Sequence, residues 1–355
     1  MENFMDWMGM FVCDSIFEKR ERVPARDMLM EVLHRFCRLS MKGQILVIGF
    51  PLGHAIGNGI CLVDPITRTR RQFRLKMPIS THWNEGAVMK DGSVIVTCGS
   101  NGQLSDKCFI VPAWPDDPDA TVMTTVMKTI RIHHAVCVLD DGRVMVSGGH
   151  SGIGEHNALD TIEFMDPVTK EWTLADRRLP GTMWAHCATV LEDGDVLLSG
   201  GNYNNENCSD KCFLYNPKTD TISATCSLFD GREFHSCVRL PNGHVLATGG
   251  YRIQQATWHQ QTYMSSWSEL YNAGKWTSMP NPLNRARGAH TSGIAGNCLY
   301  VIGGTGSGIH NNPGMEVMTL PKEKEHVLYR LCEKANGWKV IAERETNDCK
   351  CIVAL

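Results

Sequence analysis

One stretch of this chain recurs, and its recurrence limits the fold more than any other feature. Gly231-Arg232-Glu233-Phe234-His235-Ser236-Cys237-Val238-Arg239-Leu240 runs through Pro241-Asn242-Gly243 into His244-Val245-Leu246-Ala247-Thr248-Gly249-Gly250. It reads as a half-buried strand, a tight turn and a second apolar strand that stops at a glycine pair, which is a β-hairpin. Related copies run from Arg131 to Gly148-Gly149, from Met183 to Gly200-Gly201 and from Arg287 to Gly303-Gly304, and weaker ones end at Ile48-Gly49 and Cys98-Gly99. The closing glycines Gly49, Gly99, Gly149, Gly201, Gly250 and Gly304 are 50, 50, 52, 49 and 54 residues apart.

The rest of each copy is consistent with one repeated sheet. A polar loop after the glycine pair leads to an outer strand, a turn and a fourth strand, as in Ile162-Glu163-Phe164-Met165 before Trp172 and Glu269-Leu270-Tyr271-Asn272 before Trp276. The pentapeptide Ser-Asp-Lys-Cys-Phe occurs at 105–109 and again at 209–213, two repeats later. Six copies with a period near 50 and a double glycine closing the second strand resemble kelch repeats. The resemblance implies an all-β, kelch-type β-propeller of four-stranded blades around a central channel. Six blades are counted, or seven if residues 10–22 and the C-terminal strand Cys351-Ile352-Val353-Ala354-Leu355 form a composite blade. The expected division is an N-terminal segment, 1–23, and a propeller, 24–355. The glycines read as structural, filling places where strands crowd or where φ is positive.

Composition narrows the function. A net charge of -3 over 355 residues leaves no basic footprint for nucleic acid. There is no run of 18 apolar residues, and the start Met-Glu-Asn-Phe-Met-Asp-Trp-Met lacks the form of a secretory signal, so neither membrane insertion nor secretion is expected. Fifteen cysteines, many inside strand patterns, point to a reducing, cytoplasmic setting. The local pairs Cys208/Cys212 and Cys349/Cys351 lack a second half for a zinc site, so no metal and no cofactor are expected.

Histidines mark the start of the hairpins. His134, His186 and His235 lie eight residues before the turn glycines Gly142, Gly194 and Gly243, and His290 begins the last copy. Equivalent imidazoles around a ring suggest a metal site or structural hydrogen bonds, for instance to a neighbouring blade's backbone. The second reading follows the rule that buried polar groups are satisfied. Around Ile60-Cys61-Leu62-Val63-Asp64-Pro65, Asn84-Glu85-Gly86 and Leu139-Asp140-Asp141-Gly142, the chain also resembles the propeller of the galactose oxidase and glyoxal oxidase family. Phe234-His235-Ser236 is similar to that family's Tyr-His-Ser segment, and His235 matches a copper ligand. Neither Trp83 nor Asn84 is the cross-linked cysteine, His133 stands where its tyrosine partner belongs, and Phe234 replaces the axial tyrosine. The resemblance therefore implies a propeller without copper-radical chemistry.

The leading expectation is a non-enzymatic propeller that binds a protein partner, of unstated identity, through a face of loops. The contact residues expected are Arg131, Arg232, Arg252, Trp258, Tyr263 and Arg287, because aromatic and arginine anchors dominate interface energies. The loop 251–268, longer than a hairpin turn needs, is the chief candidate. The alternative is an enzyme or carbohydrate-binding propeller with a small ligand at the channel mouth near His133, His134, His186 and His235. Kelch substrate adaptors carry a further domain before the propeller, for which this sequence has only about 40 residues.

Overall fold

The computed structural model describes residues 37–340 except for several stretches, chiefly 40–44, 51–57, 307–314 and 320–338. The expected segment 1–23, the composite seventh blade and the strand at 351–355 lie outside the described residues.

Six antiparallel four-stranded sheets follow one another along the chain. Their innermost strands are Cys37–Leu39, Glu85–Val88, Ala135–Val138, Cys187–Val190, Ser236–Arg239 and Thr291–Ala295. In the fifth sheet the order outward is Ser236–Arg239, Val245–Thr248, Ser268–Asn272 and Lys275–Ser278. The innermost strand of each sheet lies against that of the next, and the sixth lies against the first, so the described sheets stand in a closed cycle. That arrangement pairs or covers the inner sheet edges that an open array would expose.

The apolar pattern explains the order. Val144–Ser147, Val196–Ser199 and Val245–Thr248 are buried at every position, because each is a second strand paired on both sides and packed on both faces. Hydrophobic clusters fill the spaces between neighbouring sheets. One joins Ile95 and Ile110 of the second sheet to Val144, Val146 and Trp172 of the third. Another joins Leu246 and Leu270 of the fifth to Leu299 and Val301 of the sixth. The repeated Trp of the fourth strand thus packs between blades; Trp172 is 1% exposed.

The inner hairpin turn repeats atom by atom. Gly142, Gly194 and Gly243 donate their N–H to Leu139, Leu191 and Leu240, three residues back, and each glycine has φ near 90°. Oδ1 of Asp141, Asp193 and Asn242 accepts the N–H two residues on, closing an Asx turn.

Candidate functional site

The glycine pair is where one sheet meets the next. Gly149, Gly201 and Gly250 donate to the carbonyls of Met183, Arg232 and Arg287, each a few residues ahead of the following sheet's innermost strand. A Cβ on Gly200, whose φ is +62°, would lie 2.5 Å from the Arg232 carbonyl oxygen and 2.8 Å from Cε1 of His235. The pair therefore makes room for the next sheet's histidine as well as adopting a left-handed backbone.

Each histidine then reaches back to the sheet before it. His134 Nε2 is 2.7 Å from Thr97 Oγ1, His186 Nε2 2.9 Å from Ser147 Oγ, His235 Nε2 3.2 Å from Ser199 Oγ and His290 Nε2 2.9 Å from Thr248 Oγ1. The partner is the last residue of the preceding sheet's second strand, so the bond is made to a hydroxyl side chain where backbone was expected. Burial, reinforced at His134 and His290 by a nearby arginine, holds both imidazoles well below their ordinary range. Burial and the neighbouring His235 push His186 down to about 3.

The residues just before these histidines form an inner belt. His133, Ala185, Phe234 and Ala289 all have φ between 50° and 53°. Ala185 N–H donates to the His133 carbonyl, Phe234 to Ala185 and Ala289 to Phe234, which links four sheets through backbone alone. The rings of His133 and Phe234 meet edge to face at 5.0 Å, and Trp184 joins both.

Under this belt lies a cavity of about 220 Å³ lined by the starts of five inner strands. The four histidines expected there, His133, His134, His186 and His235, all line it, together with His290, Glu85, Cys187 and Cys237. Burial pushes the Glu85 carboxyl up to about 8, so it is largely protonated at neutral pH and a hydrogen-bond donor. Sequence reasoning passed over Glu85, whose only mark was its place at the head of an inner strand. Cys187, His235 and Cys237 bring one ligand atom each within 4.8 Å of one another.

The arginines assigned to partner contact lie elsewhere than expected. Arg131, Arg232 and Arg287 are each 0% exposed. Arg131 pairs with Glu163 at 2.6 Å, Arg287 with Glu316 at 2.5 Å, and Arg232 with Glu269. Their Nη1 atoms donate to the carbonyls of Gly148, Gly249 and Gly303, the first glycine of each pair. These three arginines pin the glycine pair to the third strand of their own sheet, and no side-chain surface remains for a partner.

Of the other expected contacts, Tyr263 is at the surface and the Arg252 side chain is largely covered, 12% exposed. Within 251–268, where a loop was expected, Tyr251–Gln255 pairs antiparallel with Gln260–Met264 as a second hairpin. Arg252 lies 5.8 Å from the centroid of Tyr263, which is 40% exposed, and forms an ion pair with Asp230. Trp258 is outside the described residues. Trp267 and Phe229, which the sequence did not single out, are 47% and 66% exposed. Their backbones converge on one buried pair: Phe229 N–H donates to Glu269 Oε2, and Arg232 donates to the Trp267 carbonyl.

Comparison with known proteins agrees with this geometry. A model of the Kelch motif matches residues 131–175, the third sheet. The solved structure titled "Structure of YjhT" superposes with a TM-score of 0.65 at 14% identity, covering 82% of this chain and 96% of that one. This chain is a kelch-repeat β-propeller. Among sequences, the propeller is 24% identical to bovine Kelch-like protein 36 over 61% of this chain and 35% of that protein. It is 24% identical to Kelch-like protein terF of Aspergillus terreus over 49% of this chain and 39% of that one. Kelch-like protein 24a of Danio rerio is 34% identical over a shorter span, 30% of this chain. The kelch chain thus spans little more than a third of the first two relatives' length. No helix among its described residues is long and apolar enough to cross a membrane.

Proposed function

We propose that this propeller is a protein-binding module and that its contact surface is built on the fifth sheet. One observation carries the reading. The exposed large aromatic side chains among the described residues gather at that sheet: Tyr263 is on its added hairpin, Trp267 directly precedes its third strand, and Phe229 is held to it by Glu269. Arg252 and Asp230 lie among them as an ion pair. Aromatic and arginine side chains on a rigid support are the residues that dominate interface energies, since they bury much area at little entropic cost. Arg232 contributes from below, as the buried anchor of the Phe229 and Trp267 backbones. A reducing, cytoplasmic location fits the nine free cysteines among the described residues.

The test is capture by the full chain from its native cells, beside a variant carrying Phe229→Ala, Arg252→Ala and Trp267→Ala. Phe229 and Trp267 are exposed, and the Arg252 side chain is 12% exposed in an ion pair with the half-exposed Asp230, so the variant is expected to fold. A partner held by the native chain should bind the variant at least about 30-fold more weakly, the effect of losing one hot spot of 2 kcal/mol. Undiminished capture would sink the assignment. In that event the better reading is a small ligand in the central cavity, which the convergence of His133, His134, His186 and His235 on Glu85 favours.

A further inference from the structure

We propose that Cys187, Cys237 and His235 form a binding site for a thiophilic d10 cation, zinc(II) in the first instance, in the wall of the central cavity. Cys187 opens the inner strand of the fourth sheet, and Cys237 is the second residue of the inner strand of the fifth. Those strands lie side by side, so residues 50 positions apart are brought together by the step from one blade to the next. The three ligand atoms lie within 4.8 Å of one another. Tetrahedral zinc with bonds of about 2.0–2.3 Å sets its ligands roughly 3.5–3.8 Å apart, so closing the site asks for about an ångström of side-chain movement. Among the described residues no other group of three histidine, cysteine or acidic side chains is gathered this way, and the local pair Cys208/Cys212 is not part of one.

The surroundings suit a cation. His235 is 5% exposed, and its Nδ1 is buried without a protein partner. Its Nε2 is 3.2 Å from Ser199 Oγ, which in turn is 3.5 Å from the Cys237 sulfur, so one hydroxyl touches two of the three ligands and can hold their orientation. The Cys187 thiol donates to the His235 carbonyl at 3.1 Å. Cation binding requires both thiols to give up their protons, so uptake should release protons and weaken as pH falls.

Two sulfurs and one nitrogen select soft or borderline metals over magnesium or calcium. The donor set also differs from the tyrosine-rich copper centre of the radical oxidases discussed for Phe234-His235-Ser236. All three residues line the cavity, so a fourth coordination position would face it. Three protein ligands and an open position is the arrangement of zinc sites that take an exchangeable fourth ligand.

The experiment titrates the reduced, metal-free full chain with cobalt(II), reads the sulfur-to-cobalt charge-transfer absorption, and then displaces cobalt with zinc. One cation per chain is expected. Cys237→Ser should abolish the absorption and weaken zinc binding by at least about 100-fold, a loss no smaller than those seen for outer-shell partners. Ser199→Ala should weaken it about 10-fold. Cys226→Ser, at an exposed cysteine, should change nothing. Cys187→Ser, from the neighbouring strand, replaces Cys237→Ser if that variant does not fold. The proposal is overturned if no sulfur-to-cobalt absorption appears, if both cysteine variants keep it, or if the reduced chain takes up no metal and the two thiols instead join as a disulfide.

Discussion

The third, fifth and sixth sheets of this propeller fasten their glycine pairs with buried charge, whereas the fourth does the same task without any. In the charged sheets an arginine three residues before the repeated histidine meets a glutamate of the third strand: Arg131–Glu163, Arg232–Glu269 and Arg287–Glu316. The second carboxylate oxygen accepts the N–H of the residue three before the arginine, that is, Lys128, Phe229 or Asn284, at 2.7 Å each. In the fourth sheet the arginine position is Met183 and the glutamate position is Phe213, both buried in one cluster. The residue three before Met183 is Pro180, which has no N–H to satisfy. The second sheet agrees, with Phe109 in the glutamate position and Pro78 in the proline position. Donor, acceptor and cation change together, so a polar triad and an apolar one are alternative solutions to the same junction. Buried ion pairs commonly break even against apolar packing of similar volume, and this chain contains both answers.

Breaking the charged solution halfway should have the largest effect. Arg232→Met leaves Glu269 buried without its cation and should cost about 3–5 kcal/mol in urea unfolding. Adding Glu269→Phe and Phe229→Pro, which copies the fourth sheet, should recover most of that loss. If the triple variant is no more stable than Arg232→Met, the two solutions are not interchangeable and the equivalence is wrong.

The reverse graft should be smaller and should depend on one proline. Met183→Arg with Phe213→Glu places the ion pair in the fourth sheet but leaves one carboxylate oxygen facing Pro180. Restoring the donor with Pro180→Ala should improve stability by about 1–3 kcal/mol, the cost of an unsatisfied buried polar group. An improvement equal to that of Pro180→Ala in the native background would show that the oxygen finds another donor.

The same comparison shows what a repeat reveals and what it conceals. The glycine pairs were legible because a left-handed backbone and a Cβ clash with the next sheet leave almost no other residue possible. His134, His186, His235 and His290 were legible as equivalents for the same reason: one junction is built four times. Arg131, Arg232 and Arg287 stood at a repeat position and looked like surface anchors, because a sequence does not show which way a side chain turns. The missing clue was present in the third strands, where Glu163, Glu269 and Glu316 interrupt apolar runs at the position held by Phe109 and Phe213. The cysteine and histidine cluster was harder to read. Cys187 and Cys237 are one repeat apart but differ by one place in strand register, since the equivalent of Cys187 is Ser236. Their meeting depends on the lateral packing of two blades, which periodicity along the chain does not contain.

The smallest expected effect concerns pH, and it distinguishes the two kinds of junction by their histidines. His134 and His290 are held neutral by burial and by nearby arginine, whereas His186, in the sheet that lacks the arginine, is held by burial and by His235. A depressed imidazole stabilises the fold above the unfolded value near 6.5, and that contribution is lost as pH falls toward the folded value, about 3 for His186. Glu85 runs the other way. Its folded value is raised to about 8, so its contribution is complete below 4.5 and is lost as pH rises through 8. Stability measured by urea unfolding should therefore fall on both sides. Glu85→Gln should flatten the limb between pH 4.5 and 8 and leave the acid limb unchanged. Arg131→Met with Glu163→Phe should make the His134 loss smaller and complete it at a higher pH, because removing Arg131 raises the folded value toward the unfolded one near 6.5 while burial remains. An acid limb that does not respond to removal of Arg131 would show that the arginine contributes nothing to the depression of His134 and would remove this distinction between its junction and the one at His186.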